Sequence, residues 1–158
     1  MKWQLINTGF QPAAWNMEFD ESLAEDIDDG EDWSVLRFYG WEPHALSVDR
    51  NQSMDAFDLE KLQQAGIDVV RRPTGGKAIL HAHELTCRVV TPRAHRSRKD
   101  IYCYINKGLL EGLHLMGIPA ELTDENINYA RLYREPISIP CFATSARSEI
   151  QFQGKKLV

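Results

Sequence analysis

Two glycines with three cations close by are the first place to look for chemistry. In "RRPTGGKAILH", residues 71–81, Arg71 and Arg72 precede a proline, Gly75 and Gly76 follow it, and Lys77 comes next. Glycines remove side-chain bulk and permit positive φ, so a ligand can approach the backbone closely. Backbone amides at such a turn, with guanidinium and ammonium groups beside them, suit an anion or a polarised carbonyl. The spacing is neither the GxxxxGK[ST] of a phosphate-binding loop nor a dinucleotide fingerprint. The same residue types also describe a hairpin turn with solvated arginines. Thiols are the second source of chemistry. Cys87, Cys103 and Cys141 are widely spaced, odd in number and free of any CxxC. That indicates neither a disulfide framework nor a structural zinc site, and in a reducing compartment leaves each as a small core residue or a reactive thiol. His81, His83 and Glu84 of "HAHE" are metal-ligand types, but no further ligands accompany them. Asp124, Glu125 and Asn126 lack the twelve-residue calcium-loop pattern.

The frame around these residues is that of one globular domain. The chain has 158 residues and a formal net charge of −5, a balance that does not suggest bulk nucleic-acid binding. No apolar stretch approaches a membrane span. The start, "MKWQLINTGF", lacks the apolar core and cleavage site of a signal peptide, so a cytoplasmic location is expected.

Periodicity places the elements. Residues 3–7 open with a strand. Trp15, Phe19, Leu23 and Ile27 recur every four residues and predict a helix with that stripe inward. Asp20, Glu21, Glu25, Asp26 and Asp28 then face water, and Gly30 ends the helix. Strands are expected at 35–39 and 45–48, and a helix at 55–65 closed by Gly66. Val69 and Val70 lead a strand into the glycine turn, with strands at 78–80 and 85–90 after it. Ile101, Ile105, Leu109, Leu113 and Met116 define the strongest helix, stopped by Gly117. Residues 118–122 read as a strand, 123–140 have no period, and 149–158 alternate around Gly154 like a hairpin. Strands and helices that do not strictly alternate predict an α+β or mixed α/β fold.

Four stretches, in order, resemble the lipoate–biotin protein ligase superfamily, of the lipoate-protein ligase A and octanoyltransferase type. "RRPTGGKAILHAHELTCRVV" is similar to its signature of arginine pair, glycine pair and histidine. "AAWNMEFDESLAED" resembles its first helix, "LRFYGWEPHALSVDRNQ" the following strand pair, and "CFATSARSEIQFQGKKLV" the segment carrying its catalytic lysine. The resemblance spans essentially the whole chain. It implies a sheet flanked by helices, like that of class II aminoacyl-tRNA synthetases and biotin ligases. One residue departs from the pattern: Asp49 of "SVDRNQ" stands where the family usually has glycine.

Cys141, after "ISIP", resembles the thiol of the cysteine-dependent octanoyltransferases within that superfamily. The resemblance then implies a reaction. Octanoyl passes from acyl carrier protein to Cys141 as a thioester, then to a lysine of a lipoyl domain or glycine-cleavage H protein. It needs no cofactor, metal, nucleic acid or membrane. Lys156 matches the family's lysine at the acyl carbonyl, where it would lower the thiol pKa or hydrogen-bond the oxygen as charge builds. Lys155, its neighbour on a strand, points the other way. Gly75 and Gly76 would let the thioester carbonyl lie against backbone, with Lys77 near, and Arg72 and His81 would line the site. Cys87 and Cys103 are expected to be structural.

Two alternatives stay open: an ATP- and Mg²⁺-dependent lipoate-protein ligase, and a non-catalytic module that binds lipoyl domains. The basic run Arg93, Arg96, Arg98 and Lys99 would steer acidic carrier proteins or lipoyl domains, or is simply a solvated loop. "GKKLV" stops within what reads as a hairpin strand, so 1–158 is expected to be the N-terminal part of a single lipoyl/biotinyl protein ligase-like catalytic domain. Leu157 and Val158 would then end on a sheet edge with unpaired backbone groups.

Overall fold

The computed structural model describes residues 2–27, 32–92, 97–123 and 149–157. Gly30, Asp28, Arg93, Arg96, the Arg98 side chain, Asp124, Glu125, Asn126, Cys141 and Val158 lie outside what is described. The chain divides into two compact units, Met1–Ala94 and His95–Val158.

The first unit holds two three-stranded sheets. In one, β1 (Lys2–Gln11) runs parallel to β2 (Trp33–Trp41), and β6 (Thr86–Val90) pairs antiparallel on the other side of β2. In the other, β3 (Ala45–Val48) lies between parallel β4 (Asp68–Arg71) and antiparallel β5 (Ile79–His81). All four residues of β3 are buried, as a central strand covered on both faces requires. β1 is longer than the 3–7 predicted. Its register shifts between Asn7 and Phe10, where Gly9 takes φ +63° and donates its amide to Asn7 Oδ1 at 3.0 Å. Ala13, Tyr39, Trp41 and Ala45 form the core cluster, with Met17 and Val70 packed on it.

The first helix corrects the sequence reading most. α1 (Ala13–Glu25) forms as expected, but it buries Ala13, Asn16, Asp20 and Leu23, while Trp15 is exposed. The cause is Arg37 of β2, fully buried beneath the helix. All five guanidinium N–H groups are used. Nη1 donates to Asp20 Oδ1 at 2.6 Å and Asn16 O at 3.2 Å, Nη2 to Asn16 Oδ1 at 2.5 Å and Thr8 Oγ1 at 2.9 Å, and Nε to Thr8 Oγ1 at 3.0 Å. The rings of Tyr39, Phe19 and Trp15 lie 3.8, 4.7 and 5.4 Å from its guanidinium carbon. Trp15 and Phe19 thus form a stacked aromatic wall beside a cation, rather than the apolar floor that their spacing suggests. Tyr39 donates its hydroxyl to Asp20 Oδ2 at 3.0 Å. Burial, reinforced by the Asp20 charge, pushes that phenol well above its ordinary range.

The helix expected at 55–65 is split. Met54–Ala56 is a 3₁₀ turn capped by Ser53, and α2 (Leu59–Gln64) starts only where Asp58 accepts the Lys61 amide at 3.1 Å. A second cap inside the run ends one helix and begins another. Gly66, at φ +68°, closes it as predicted.

In the second unit, α3 (Arg98–Leu115) begins with a capping box between Ser97 and Asp100. Its inward stripe is the predicted one over Ile101, Ile105, Leu109 and Leu113, each partly buried; Met116 falls in the terminating turn and is exposed. Gly117 takes φ +79°, and Ile118 N–H reaches Leu113 O at 3.0 Å. The remaining sheet orders β7 (Glu121–Leu122), β8 (Ile150–Phe152) and β9 (Lys155–Lys156), all antiparallel. Gln153 and Gly154 have φ of 52° and 72°, the two positive values that a tight hairpin turn demands. β7 is shorter than 118–122. The Leu157 amide pairs inward with Ile150 O at 2.8 Å, and β9 lies at the edge of this sheet among the described residues. No helix among the described residues is long and apolar enough to cross a membrane.

Candidate functional site

The glycine turn is held by its arginines. Arg71, at the end of β4, donates from Nη1 to the carbonyls of Asp49, Arg50 and Gln52 at 2.7, 2.9 and 3.0 Å. This clamps the 49–52 turn next to the glycines, where Arg50 N–H meets Thr74 O at 3.4 Å and Gln52 Oε1 accepts Ala78 N–H at 3.0 Å. Arg72 donates from Nη1 to Ser47 O and Oγ at 2.9 and 3.1 Å, and from Nη2 to Lys77 O at 2.5 Å. It is therefore a brace that fixes the shape of the loop. Gly75 and Gly76 themselves are exposed, which leaves their backbone open to a ligand.

His81 is buried under this turn, at 7 % exposure. Its Nε2 lies 2.8 Å from Ser47 Oγ and its Nδ1 2.5 Å from Glu84 Oε1. Thr86 Oγ1 donates to the same carboxylate at 2.8 Å and accepts Trp41 Nε1–H at 2.7 Å. Trp41 also stacks on the imidazole, 4.1 Å between ring centroids. Burial opposes the Glu84 charge, but the hydrogen bond and charge of His81, with Thr86, outweigh it and hold the carboxyl below its usual range. A carboxylate accepts only, so Nδ1 carries the proton. The serine–histidine–carboxylate order invites comparison with a hydrolytic triad. Ser47, however, is 1 % exposed and already takes the Arg72 bond. The array runs from Glu84 through His81 and Ser47 to Arg72 and the Lys77 carbonyl, and it stiffens the turn. Ser47 and Trp41 carried no signal in the sequence, because their role arises from the pairing of β3 with β5 and β4.

His83 is exposed beyond the end of β5 and meets the His44 ring edge-on at 5.0 Å. It does not share a face with His81. Among the described residues, no group of three or more His, Cys, Asp or Glu could hold a metal ion.

In the second unit, the two lysines of the hairpin separate as a strand requires. Lys155 is exposed, whereas Lys156 is tucked in, its Nζ 2.9 Å from Glu149 Oε1 with both side chains near 10 % exposure. Tyr102 Oη lies 3.5 Å from the same oxygen. The Glu149 carboxylate fixes the position of the Lys156 amine. Cys87, on β6, is half-buried, and burial pushes its thiol up, against a smaller lowering effect from a backbone hydrogen bond. Cys103 is half-buried on α3.

The backbone conformation makes one prediction direct. Gly76 has φ +130°, and a side-chain carbon built there meets Arg72 Nη2 at 3.0 Å. At Gly75 the nearest atom is Asp49 Oδ2 at an ordinary 3.6 Å. Gly76→Ala should therefore distort the turn and impair ligand binding by about tenfold or more, while Gly75→Ala does less. Acyl loading measured by intact mass checks this, and equal losses in both would contradict it.

The first unit thus carries a glycine turn braced by its arginines, and the second a partly buried lysine paired with a carboxylate. The chain belongs to the family described as the lipoyl protein ligase A/B catalytic domain, which matches residues 12–158. It is 34 % identical over 161 residues to the octanoyltransferase LipM of Geobacillus kaustophilus, covering 98 % of this chain and 58 % of that protein. It is 36 % identical over 163 residues to LipM of Clostridioides difficile, covering 99 % and 59 %. The chain thus spans little more than half the length of these curated relatives. Among solved structures, a lipoate-protein ligase A bound with ATP superposes with a TM-score of 0.78 at 21 % identity, covering 99 % of this chain and 59 % of that one. A bipartite lipoate protein ligase of Thermoplasma acidophilum superposes at 0.68 and 25 % identity, covering 80 % and 50 %. The expected mixed α+β fold is the fold observed.

Proposed function

We propose that this chain is the acyl-handling part of an octanoyltransferase of lipoate assembly. The observation that carries the reading is the similarity, over nearly the whole chain, to relatives that are octanoyltransferases. The donor is octanoyl-acyl carrier protein, and the acceptor is a lysine of a lipoyl domain or glycine-cleavage H protein. In the first step, the Cys141 thiolate attacks the donor thioester, a C–S bond to Cys141 forms, the C–S bond to the carrier breaks, and the carrier's thiolate leaves. In the second, the acceptor amine attacks the Cys141 thioester, an amide forms, and the Cys141 thiol is released. The amide is more stable than the thioester, so no ATP is consumed and no cofactor is needed. Lys156, held by Glu149, stabilises the developing oxyanion.

The test is octanoyl transfer from carrier protein to a lipoyl domain with ATP omitted, on the full-length protein. Amide formation is expected. AMP release from free lipoate and ATP, without carrier-dependent transfer, would instead favour a ligase. Lys156→Ala should slow transfer about 10²–10³-fold, as loss of an oxyanion donor does. Lys155→Ala should change it little. Equal effects would place the working amine elsewhere.

A further inference from the structure

Asp49 follows β3 directly and is 4 % exposed. Its Oδ1 accepts the Asn51 amide at 2.6 Å, and its carbonyl accepts Arg71 Nη1. Its Oδ2 is buried and has no hydrogen-bond partner. Neither Arg71 nor Arg72 hydrogen-bonds to it. The Arg71 bonds go to carbonyls of the 49–52 turn, and the Arg72 bonds go to Ser47 and the Lys77 carbonyl. Folded proteins leave few buried polar atoms unpaired, and such an atom marks a place where a partner is missing. Here the oxygen lies against the glycine turn, 3.6 Å from where a side chain on Gly75 would begin. Gly75 has no side chain to place between this oxygen and the exposed turn.

The ligand chemistry follows from the charge. A carboxylate oxygen needs a hydrogen-bond donor, and a cationic donor satisfies it best. It repels phosphates and free carboxylates, and a thioester offers it no donor. An ammonium group supplies full positive charge and three N–H donors. We propose that Asp49 Oδ2 is the seat of the acceptor lysine's ammonium, holding the amine beside the glycine turn before it reacts. This rests on the acyltransferase reading above. Asp49 is then a binding and specificity residue, and it makes acceptor recognition charge-dependent in a way that a glycine there could not.

The experiment uses n-butylammonium as the lysine side-chain probe, with n-butanol as its neutral counterpart, on the full-length protein. The Asp49 carboxyl ¹³C resonance, assigned by its absence in Asp49→Asn, should shift saturably with n-butylammonium and stay fixed with n-butanol. In steady-state transfer, Asp49→Asn and Asp49→Gly should raise KM for the acceptor about tenfold more than KM for the acyl donor. No shift with the ammonium probe, or equal rises in the two KM values, would overturn the proposal. Failure of the acyltransferase reading looks different: no octanoyl adduct forms on Cys141 in the unsubstituted protein, and the NMR titration still decides whether Asp49 binds an amine.

Discussion

Cys141→Ala is expected to abolish the octanoyl adduct and lower transfer by about 10³-fold or more, because the alternative is direct attack on the donor without a covalent intermediate. Three cysteines compete for the role. A reactive cysteine needs thiolate character and access. Cys87 has the opposite environment: it is partly buried in β6, opposite Phe38, and desolvation raises its pKa. Cys103 is half-buried in the body of α3. Cys141 lies outside the described residues, so its candidacy rests on the resemblance of "ISIPCFATSARSEI" to the thiol segment of cysteine-dependent transferases. Incubation with octanoyl-carrier protein, followed by peptide mapping, locates the adduct. An adduct on Cys87 or Cys103, or normal turnover by Cys141→Ala, would refute the assignment. Cys141→Ser gives a finer reading, since a serine without an adjacent base is a poor nucleophile and should load slowly if at all.

The second large effect is on stability. Asp20→Ala should destabilise the fold by about 3–5 kcal/mol, the cost of leaving a buried charge without its partner. Arg37 has no exposed surface, and the Asp20 side chain is 6 % exposed. Removing the carboxylate strands a guanidinium whose other acceptors, Asn16 and Thr8, are neutral, and it also removes the acceptor of the Tyr39 hydroxyl. Exposed acids on the same helix, such as Glu21 and Glu25, should change stability by only about 0.5 kcal/mol when replaced by alanine. The urea midpoint reads both. Replacing the pair together, Asp20→Leu with Arg37→Met, should recover much of the loss, because two apolar groups carry no desolvation penalty. A midpoint for Asp20→Ala no lower than that for Glu21→Ala would show that the pair is not a buried charge couple.

Much of the fold was legible from local rules. The four-residue recurrence at 101–113 reports α3, because one helix face is covered and the rest is not. Glycines at 66, 117 and 154 mark turns because each takes positive φ, which side chains resist. The alternation of Lys155 and Lys156 predicts opposite faces, and the structure exposes the first and leaves the second only partly exposed. The glycine turn was legible as a turn flanked by arginines, and the structure adds that both arginines brace it.

Other features depend on elements far apart in sequence. The spacing of Trp15, Phe19, Leu23 and Ile27 describes an apolar stripe, yet the inner face of α1 carries Asn16 and Asp20. Periodicity cannot foresee this, because the reason is a single arginine on another element, 17 residues beyond Asp20. Burying that cation requires acceptors on whatever packs above it, and the helix turns to supply them. His81 finds Ser47 across 34 residues only because β3 and β5 pair in that register. Asp49 appeared in the sequence as a mere departure from a pattern. Only the fold shows that its free oxygen is buried against Gly75, since burial and the lack of a donor belong to the three-dimensional neighbourhood and not to the residue.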